Sequence, residues 1–329
     1  MKTVRFHQTG GPDVLTYEEV TDPVAGDGEV LIKVEAVGLN FADVLRRRGD
    51  DYPEPTPLPF TPGGEIAGRV AAVGPNVRGI EVDSLVYSTP RRGGYAQYVS
   101  VPAASVIPLP PGIGADQATS LVIQGLTAGF ALRNSARMSR GESVFVEAAA
   151  GGVGSFAVQL AKLFGAGKVI AGASSAAKRD LALQLGADAA IDYTKPDWPA
   201  EVKALTGGAG VDIVLEMTGG PTLERALDAL GVFGRMVVYG LASGESVRVD
   251  PQRLTGSNHS ITGFFLGGFF RRPELVKSML EEIVGYVVSG KLSLQIGATF
   301  PLSQAAEAHR LIEERRSTGK IVLHPWEDA

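Results

Sequence analysis

The sequence predicts an α/β protein in which a doubly wound parallel sheet is inserted into a discontinuous, mainly β, barrel-like domain. Three observations predict it. A glycine turn joins a β-branched strand to an amphipathic helix in VFVEAAAGGVGSFAVQLAK, from Val144 to Lys162. Short apolar runs then alternate with helical or turn-rich segments as far as Phe265, the pattern of repeated βαβ units. Roughly the first 120 residues differ in texture, with short β-like runs separated by Pro and Gly clusters.

In that first part VLIKVEAVGLN, GRVAAVG, SLVYS and YAQYVSVP read as strands of a partly antiparallel, barrel-like sheet. Asp116 to Leu132 reads as a helix leading into the second domain. There Gly151 lets the backbone turn tightly and approach a pyrophosphate, and Gly154 lets the helix pack closely on its strand. Ala149 stands at the first glycine of the usual G-x-G-x-x-G pattern, so the motif is a variant that draws its weight from the βαβ context. Lys168 to Ala173 supplies the second strand of this Rossmann-type unit. Ala189 to Asp192, Val211 to Met217, Arg235 to Gly240 and Ser260 to Phe265 supply the later ones. Next come a long helix from Pro273 to Ser289, a strand near Gln295 to Phe300, a helix from Ser303 to Arg315 and a last strand, KIVLHP. This tail is expected to return to the first domain, giving a dinucleotide-binding domain at 123–265 and a catalytic domain at 1–122 and 266–329.

The end of the second strand bears on the cofactor. A fold that selects NAD places an acid about twenty residues beyond the glycines, on the ribose 2′-hydroxyl. Here the position is Ala173, and the following residues offer Ser174, Ser175, Lys178 and Arg179 with no carboxylate before Asp180. Hydroxyls and cations suit a 2′-phosphate, which an acid would repel. NADPH is therefore the expected cofactor, its pyrophosphate on the backbone of Ala150, Gly151, Gly152, Val153 and Gly154 at the helix N-terminus.

Composition excludes several classes. At 329 residues the chain exceeds one ordinary domain, which favours two. A net charge of −5, with no long basic run, gives no general attraction to nucleic acid or an anionic membrane. The densest positive cluster, Arg46 to Arg48, is expected to face solvent or a cofactor cleft. The chain has no cysteine, which excludes disulfides, thiolate ligands and a cysteine nucleophile. With no secretory apolar stretch in MKTVRFHQTG and no apolar run of membrane-spanning length, the cytoplasm is the expected location. His7, His259, His309 and His324 show no paired metal-ligand spacing and read as surface or packed residues.

Several segments, in order over essentially the whole chain, carry a resemblance. They are GLNFADVLRRRGDDYP (Gly38 to Pro53), TPGGEIAGRVAAVG (Thr61 to Gly74), GGYAQYVSVP (Gly93 to Pro102), QGLTAGF (Gln124 to Phe130), AAAGGVG and RRSTGKIVL. The chain resembles the medium-chain dehydrogenase/reductase superfamily and, within it, the zinc-free, zeta-crystallin-like NADPH:quinone oxidoreductases. The resemblance implies that the β domain is GroES-like and that the protein is a homodimer joined through edge strands of the nucleotide domain. Where zinc-dependent relatives carry a cysteine ligand this chain has Asn40, and where their GHE motif has histidine it has Gly64. Neither can bind zinc usefully, and a catalytic zinc normally needs three protein ligands. The expected chemistry thus uses no metal and no flavin. Reducing equivalents pass from NADPH to a quinone already activated by conjugation, and the protein aligns the reactants and donates hydrogen bonds to the acceptor oxygen. An NADPH-dependent reductase of enones, alkenals or enoyl thioesters and a non-catalytic NADPH-binding module are the alternatives.

The resemblance also implies site residues. Asn40 and Asp43 match positions beside the nicotinamide, Asn40 as a neutral donor; local turn capping is the competing account of both. Tyr52 matches a tyrosine lining the acceptor site, able to stack and to donate a hydrogen bond or proton. Thr127 and Gly240 match cofactor contacts, and Phe264, Phe265 and Leu266 match a segment passing the nicotinamide or form an ordinary buried strand end. Lys178 and Tyr193 match positions at the 2′-phosphate, with Arg315, or its neighbour Arg316, as a third partner.

Overall fold

The computed structural model describes residues 1–327. The chain divides into two compact units: Met1–Ile123 with the segment from Leu294 onward, and Gln124–Ser293.

In the first unit a seven-stranded sheet runs in the order Ile296–Pro301, Lys320–His324, Glu29–Leu39, Ile66–Val73, Leu85–Ser88 and Val106–Pro108, with Tyr98–Pro102 also paired to Glu29–Leu39. The pairing is antiparallel except between Ile296–Pro301 and Lys320–His324. The eleven-residue Glu29–Leu39 strand is the hub. Register breaks against Ile66–Val73 at Leu31/Ile32 and Val34/Ala36 bend it, so that it serves three neighbours along its length. Its Val30, Ile32, Val34, Val37 and Leu39 join Ile66, Val86, Val101, Ile321 and Leu323 in one core.

The second unit is built on six strands in the order Ala189–Ile191, Lys168–Gly172, Ser143–Val146, Val211–Glu216, Leu230–Val238 and Ser260–Gly263, every pair parallel. Numbered along the chain this is 3-2-1-4-5-6, the doubly wound order. The strands are nearly continuous apolar runs, as a parallel sheet covered on both faces requires. Phe145 stacks on Trp198 at 4.6 Å between ring centroids within that core.

Four expectations need correction. The helix Pro273–Val288 stays with the nucleotide unit, so the boundary expected after Phe265 falls after Ser293. Its buried Met279 and Ile283 pack where glycines leave room; a Cβ on Gly129 would stand 2.7 Å from Met279 Sδ, and one on Gly125 3.4 Å from Ile283 Cδ1. Asp116 to Leu132 is helical but not one α-helix. α-Turns at Ala115–Ala118 and Thr127–Phe130 alternate with wider π-type turns at Leu121–Leu126 and Ala131–Ser135. The fifth parallel strand begins at Leu230 rather than Arg235, through a break in register beside Val211.

The fourth correction concerns the arginine run, because Arg46 and Arg47 are buried. Arg47 ties the helix Phe41–Arg48 to Ala305–Glu313: Nε donates to His309 Nδ1 at 3.3 Å, Nη1 to Gly10 O at 2.7 Å, and Nη2 lies 2.6 Å from Glu313 Oε2. With Nδ1 facing a permanent donor, His309 is neutral and its Nε2–H points to Tyr95 Oη, 3.0 Å away. Burial, then the Arg47 charge, pushes its pKa down to about 3. No helix among the described residues is long and apolar enough to cross a membrane.

Candidate functional site

In the first unit the sequence-derived residues sit where the central strand passes into the helix Phe41–Arg48. Asn40 is the extended residue before the helix, and Asp43 folds back one turn later. Asp43 Oδ2 accepts the Asn40 N–H at 2.9 Å and Oδ1 accepts the Gly63 N–H at 3.0 Å. Gly63 has a left-handed φ of +96°, and a Cβ there would lie 2.7 Å from Gly94 Cα. The carboxyl of Asp43 thus staples the helix start to the Thr61–Gly64 turn, which is a capping role. Burial pushes its pKa above the ordinary carboxyl range, against the two backbone amides, Lys320 and Arg46.

The Asn40 amide is committed at both ends. Nδ2 donates to Glu65 Oε2 at 3.2 Å and Gly38 O at 3.3 Å, while Oδ1 accepts from Lys320 Nζ at 2.9 Å. Lys320 Nζ also donates to Glu65 Oε2 at 2.8 Å, and Glu65 Oε1 accepts the Ile123 N–H at 2.9 Å. Lys320 and Glu65 are both 0% exposed, so this is an ion pair wholly inside the protein. For Asn40 to donate to a bound molecule, its amide would have to leave Glu65 or Gly38. Lys320 and Glu65 were missed by sequence reasoning. Their signal was a charged residue at the start of an apolar strand, in KIVLHP and GGEIAGRV.

Tyr52 lies half-buried in the loop after the helix. The Arg46 guanidinium stands 4.2 Å from its ring centroid and 5.2 Å from that of Phe60. Arg46 also holds Glu54 at 2.5 Å, Pro55 O at 2.9 Å and Thr56 Oγ1 at 3.3 Å, and so organises the loop that carries Tyr52. Burial raises the Tyr52 pKa, against the Arg46 charge, so the phenol keeps its proton at neutral pH.

In the second unit all strands run one way, so the residues following each strand emerge at one edge. After Ser143–Val146 the chain makes a turn in which Ala148 adopts φ +46° and Gly151 N–H bonds Ala148 O at 2.7 Å. The helix Gly152–Leu163 follows, its first internal bond running from Ser155 N–H to Gly151 O at 2.9 Å. The amides of Gly152, Val153 and Gly154 precede that bond and are therefore available to an anion. A Cβ on Gly154 would stand 2.2 Å from Ala148 O, so helix and turn touch backbone to backbone. With buried Ala150, this bare turn is a cradle fitted to a diphosphate.

At the end of the second strand Ser174 is exposed, and Ser175 caps the helix Ala176–Gln184 by accepting the Lys178 N–H at 3.4 Å. Arg179 turns away, to Ala173 O at 3.3 Å and Asp192 at 3.6 Å. Lys178 is half-buried, which lowers its pKa. Tyr193 packs against Gly172, where a Cβ would lie 3.3 Å from its ring. A serine hydroxyl, an ammonium and a phenol at a strand end without its own carboxylate form a donor set that fits a 2′-phosphate.

Gly240, after the fifth strand, lies against Met217 O, 2.7 Å from where its Cβ would be. Phe264 follows the last strand, and its N–H bonds Val238 O at 2.8 Å. Its ring stacks on Phe269, which stacks on Phe130 at 4.4 Å; Leu266 is buried and Phe265 is 39% exposed. Thr127 is buried in the same unit. Arg315 belongs to the first unit, just beyond the helix Ala305–Glu313, at φ +56°. Among the described residues no three His, Cys, Asp or Glu stand close enough to hold a metal ion.

Residues 26–111 match the alcohol dehydrogenase GroES-like domain, and residues 152–284 match the zinc-binding dehydrogenase family. A quinone oxidoreductase of Pseudomonas aeruginosa is 37% identical over 327 residues, covering 98% of this chain and 99% of its own. The chain belongs to the quinone oxidoreductase family of medium-chain dehydrogenases/reductases. Family likeness extends to three dimensions. The structure of Escherichia coli quinone oxidoreductase complexed with NADPH matches with a TM-score of 0.92 at 32% identity, covering 99% of this chain and all of that one. A mycobacterial protein complexed with NADPH matches with a TM-score of 0.91 at 36% identity and the same coverage.

Proposed function

We propose that this chain is a cytoplasmic, NADPH-dependent quinone oxidoreductase that works as a homodimer without metal or flavin. The observation that carries the reading is the pairing of the bare glycine cradle with the Ser174, Lys178 and Tyr193 donor set, at a strand end with no acid for a ribose hydroxyl. When bound, NADPH supplies the reducing equivalents. The amides of Gly152 to Gly154 hold its pyrophosphate, with Ala150 and Gly151 giving close approach. Ser174, Lys178 and Tyr193 hold the 2′-phosphate, with Arg315 as a further partner. Thr127, Gly240 and Phe264 to Leu266 border the rest of the cofactor, and the three-ring stack through Phe269 keeps the last segment in place. Tyr52, whose phenol pKa burial raises further above its ordinary value, donates to the acceptor oxygen as charge develops there. Asp43 and Asn40 hold the strand-to-helix turn beside it. The edge strand Ser260–Gly263 supports assembly through that margin of the parallel sheet.

Steady-state turnover tests the reading. With NADPH a small quinone is expected to react faster than a short enone or an enoyl thioester. Faster turnover of either of the latter would move the substrate class, and tight NADPH binding with no turnover of any would leave a binding module. The cofactor assignment has its own test. Lys178→Ala removes a charge-assisted contact of about 1.5–3 kcal/mol, so NADPH affinity is expected to fall roughly tenfold to a hundredfold while NADH affinity stays close to wild type. An equal loss for both coenzymes would overturn the assignment.

A further inference from the structure

Two buried carboxyls that this mechanism does not use stand where the strand order of the parallel sheet reverses. Glu147 follows the Ser143–Val146 strand and leads into the glycine turn, while Glu216 ends the adjacent Val211–Glu216 strand. Both are 0% exposed. Glu147 Oε2 accepts the Met217 N–H at 3.2 Å and the Thr218 hydroxyl at 2.8 Å. Glu216 Oε1 accepts the Thr218 N–H at 2.9 Å and the Gly219 N–H at 2.5 Å. The other two oxygens, Glu147 Oε1 and Glu216 Oε2, are buried with no hydrogen-bond partner among the described residues, and both side chains converge on Thr218. A carboxylate only accepts, so a hydrogen bond between the two carboxyls requires a proton on one of them. Tyr239 after the fifth strand, Tyr193 after the third, and Glu245, which overlies Gly220, also face this region. None of these is a cation that could balance a second negative charge.

We propose that Glu147 and Glu216 share one proton, and that this proton locks the glycine turn to the Met217–Gly219 turn and makes cofactor binding pH-dependent. The inference rests on the NADPH reading above. Both turns carry proposed cofactor contacts: Ala148 begins the glycine turn directly after Glu147, and Gly240 packs on Met217. Burial, then the neighbouring Glu216 charge, pushes the Glu147 pKa up to about 8. Burial pushes Glu216 up to about 6. The native pair therefore keeps a proton that the unfolded chain has released, and its contribution is lost as pH rises through about 8. Above that, two like charges would be forced together without a partner and the turns would part.

NADPH titrations of the full chain from about pH 6.5 to about pH 9.5 test this. Wild-type affinity is expected to fall above about pH 8, approaching tenfold per unit. Glu147→Gln is expected to stay level, because its amide carbonyl can take over the Met217 and Thr218 bonds while its N–H donates to Glu216 at any pH. The cofactor phosphate ionises near pH 6, and Lys178 is present in both proteins, so neither creates a difference between them. A flat wild-type profile, or parallel curves for both proteins, would overturn the inference. Should Glu147→Gln fail to fold, Glu216→Gln makes the same comparison from the other side. If NADPH binds at no pH, the functional reading fails by itself, and hydrogen exchange of the Ala149–Gly152 amides then decides. Faster exchange in wild type than in Glu147→Gln above about pH 8 supports the shared proton, and equal protection refutes it.

Discussion

Lys320→Ala is expected to lower the stability of the first unit by about 3–5 kcal/mol, the usual cost of stranding one member of a buried ion pair. Glu65 would be left at 0% exposure with the Asn40 amide and the Ile123 N–H as its donors but no cation. The lysine stem leaves a cavity too. It crosses the central strand at Gly38, where a Cβ would come within 2.4 Å of Lys320 Cε, so strand and side chain are shaped to each other. Thermal unfolding should show the loss as a fall of roughly 10 °C or more. Lys320→Met combined with Glu65→Gln should restore most of it, because a neutral amide can still accept from Ile123 and nothing charged is left unpaired. A single variant as stable as wild type would mean that water reaches Glu65. A double variant no better than the single one would mean that packing, rather than charge, sets the cost.

The pair also shows which features were legible in the sequence. Local and periodic features could be read: the βαβ alternation around Gly151 and Gly154, the missing acid at Ala173, and the Asn40/Asp43 spacing that suits a helix start. Features joining distant parts of the chain could not. Arg47 meets His309 across 262 positions and Lys320 meets Glu65 across 255, so a run of three arginines and two isolated charges carry no mark of their partners. The same limit moved the domain boundary. The apolar stripe of Pro273–Val288 says that the helix must be covered, but only the space left by Gly125 and Gly129 says by which core. Glu147 lay in plain view inside VFVEAAA. An acid in such a run implies a buried partner, and that partner, Glu216, became identifiable only when the fourth strand was placed beside the first.

Gly154→Ala should damage fold and cofactor affinity together, whereas Gly151→Ala should damage affinity alone. The added methyl at 154 would meet backbone, 2.2 Å from Ala148 O and 2.8 Å from Ala149 Cα, and neither can swing aside. Helix and turn must separate, at the cost typical of overpacking, about 1–3 kcal/mol. That separation displaces the amides of Gly152 to Gly154. Binding would have to restore them, so the same energy reappears as a loss of NADPH affinity of roughly fivefold to 150-fold. At Gly151 the backbone is extended, with φ −83°, and a methyl would lie 3.1 Å from Ala148 O, a contact the turn relieves by a small shift. Its unfolding midpoint should stay near wild type, and a loss of NADPH binding there would report the methyl standing where the pyrophosphate must come close. Calorimetric titration beside thermal melts separates the two effects. If Gly154→Ala melts early yet binds NADPH like wild type, the turn is a packing device and the cofactor lies elsewhere.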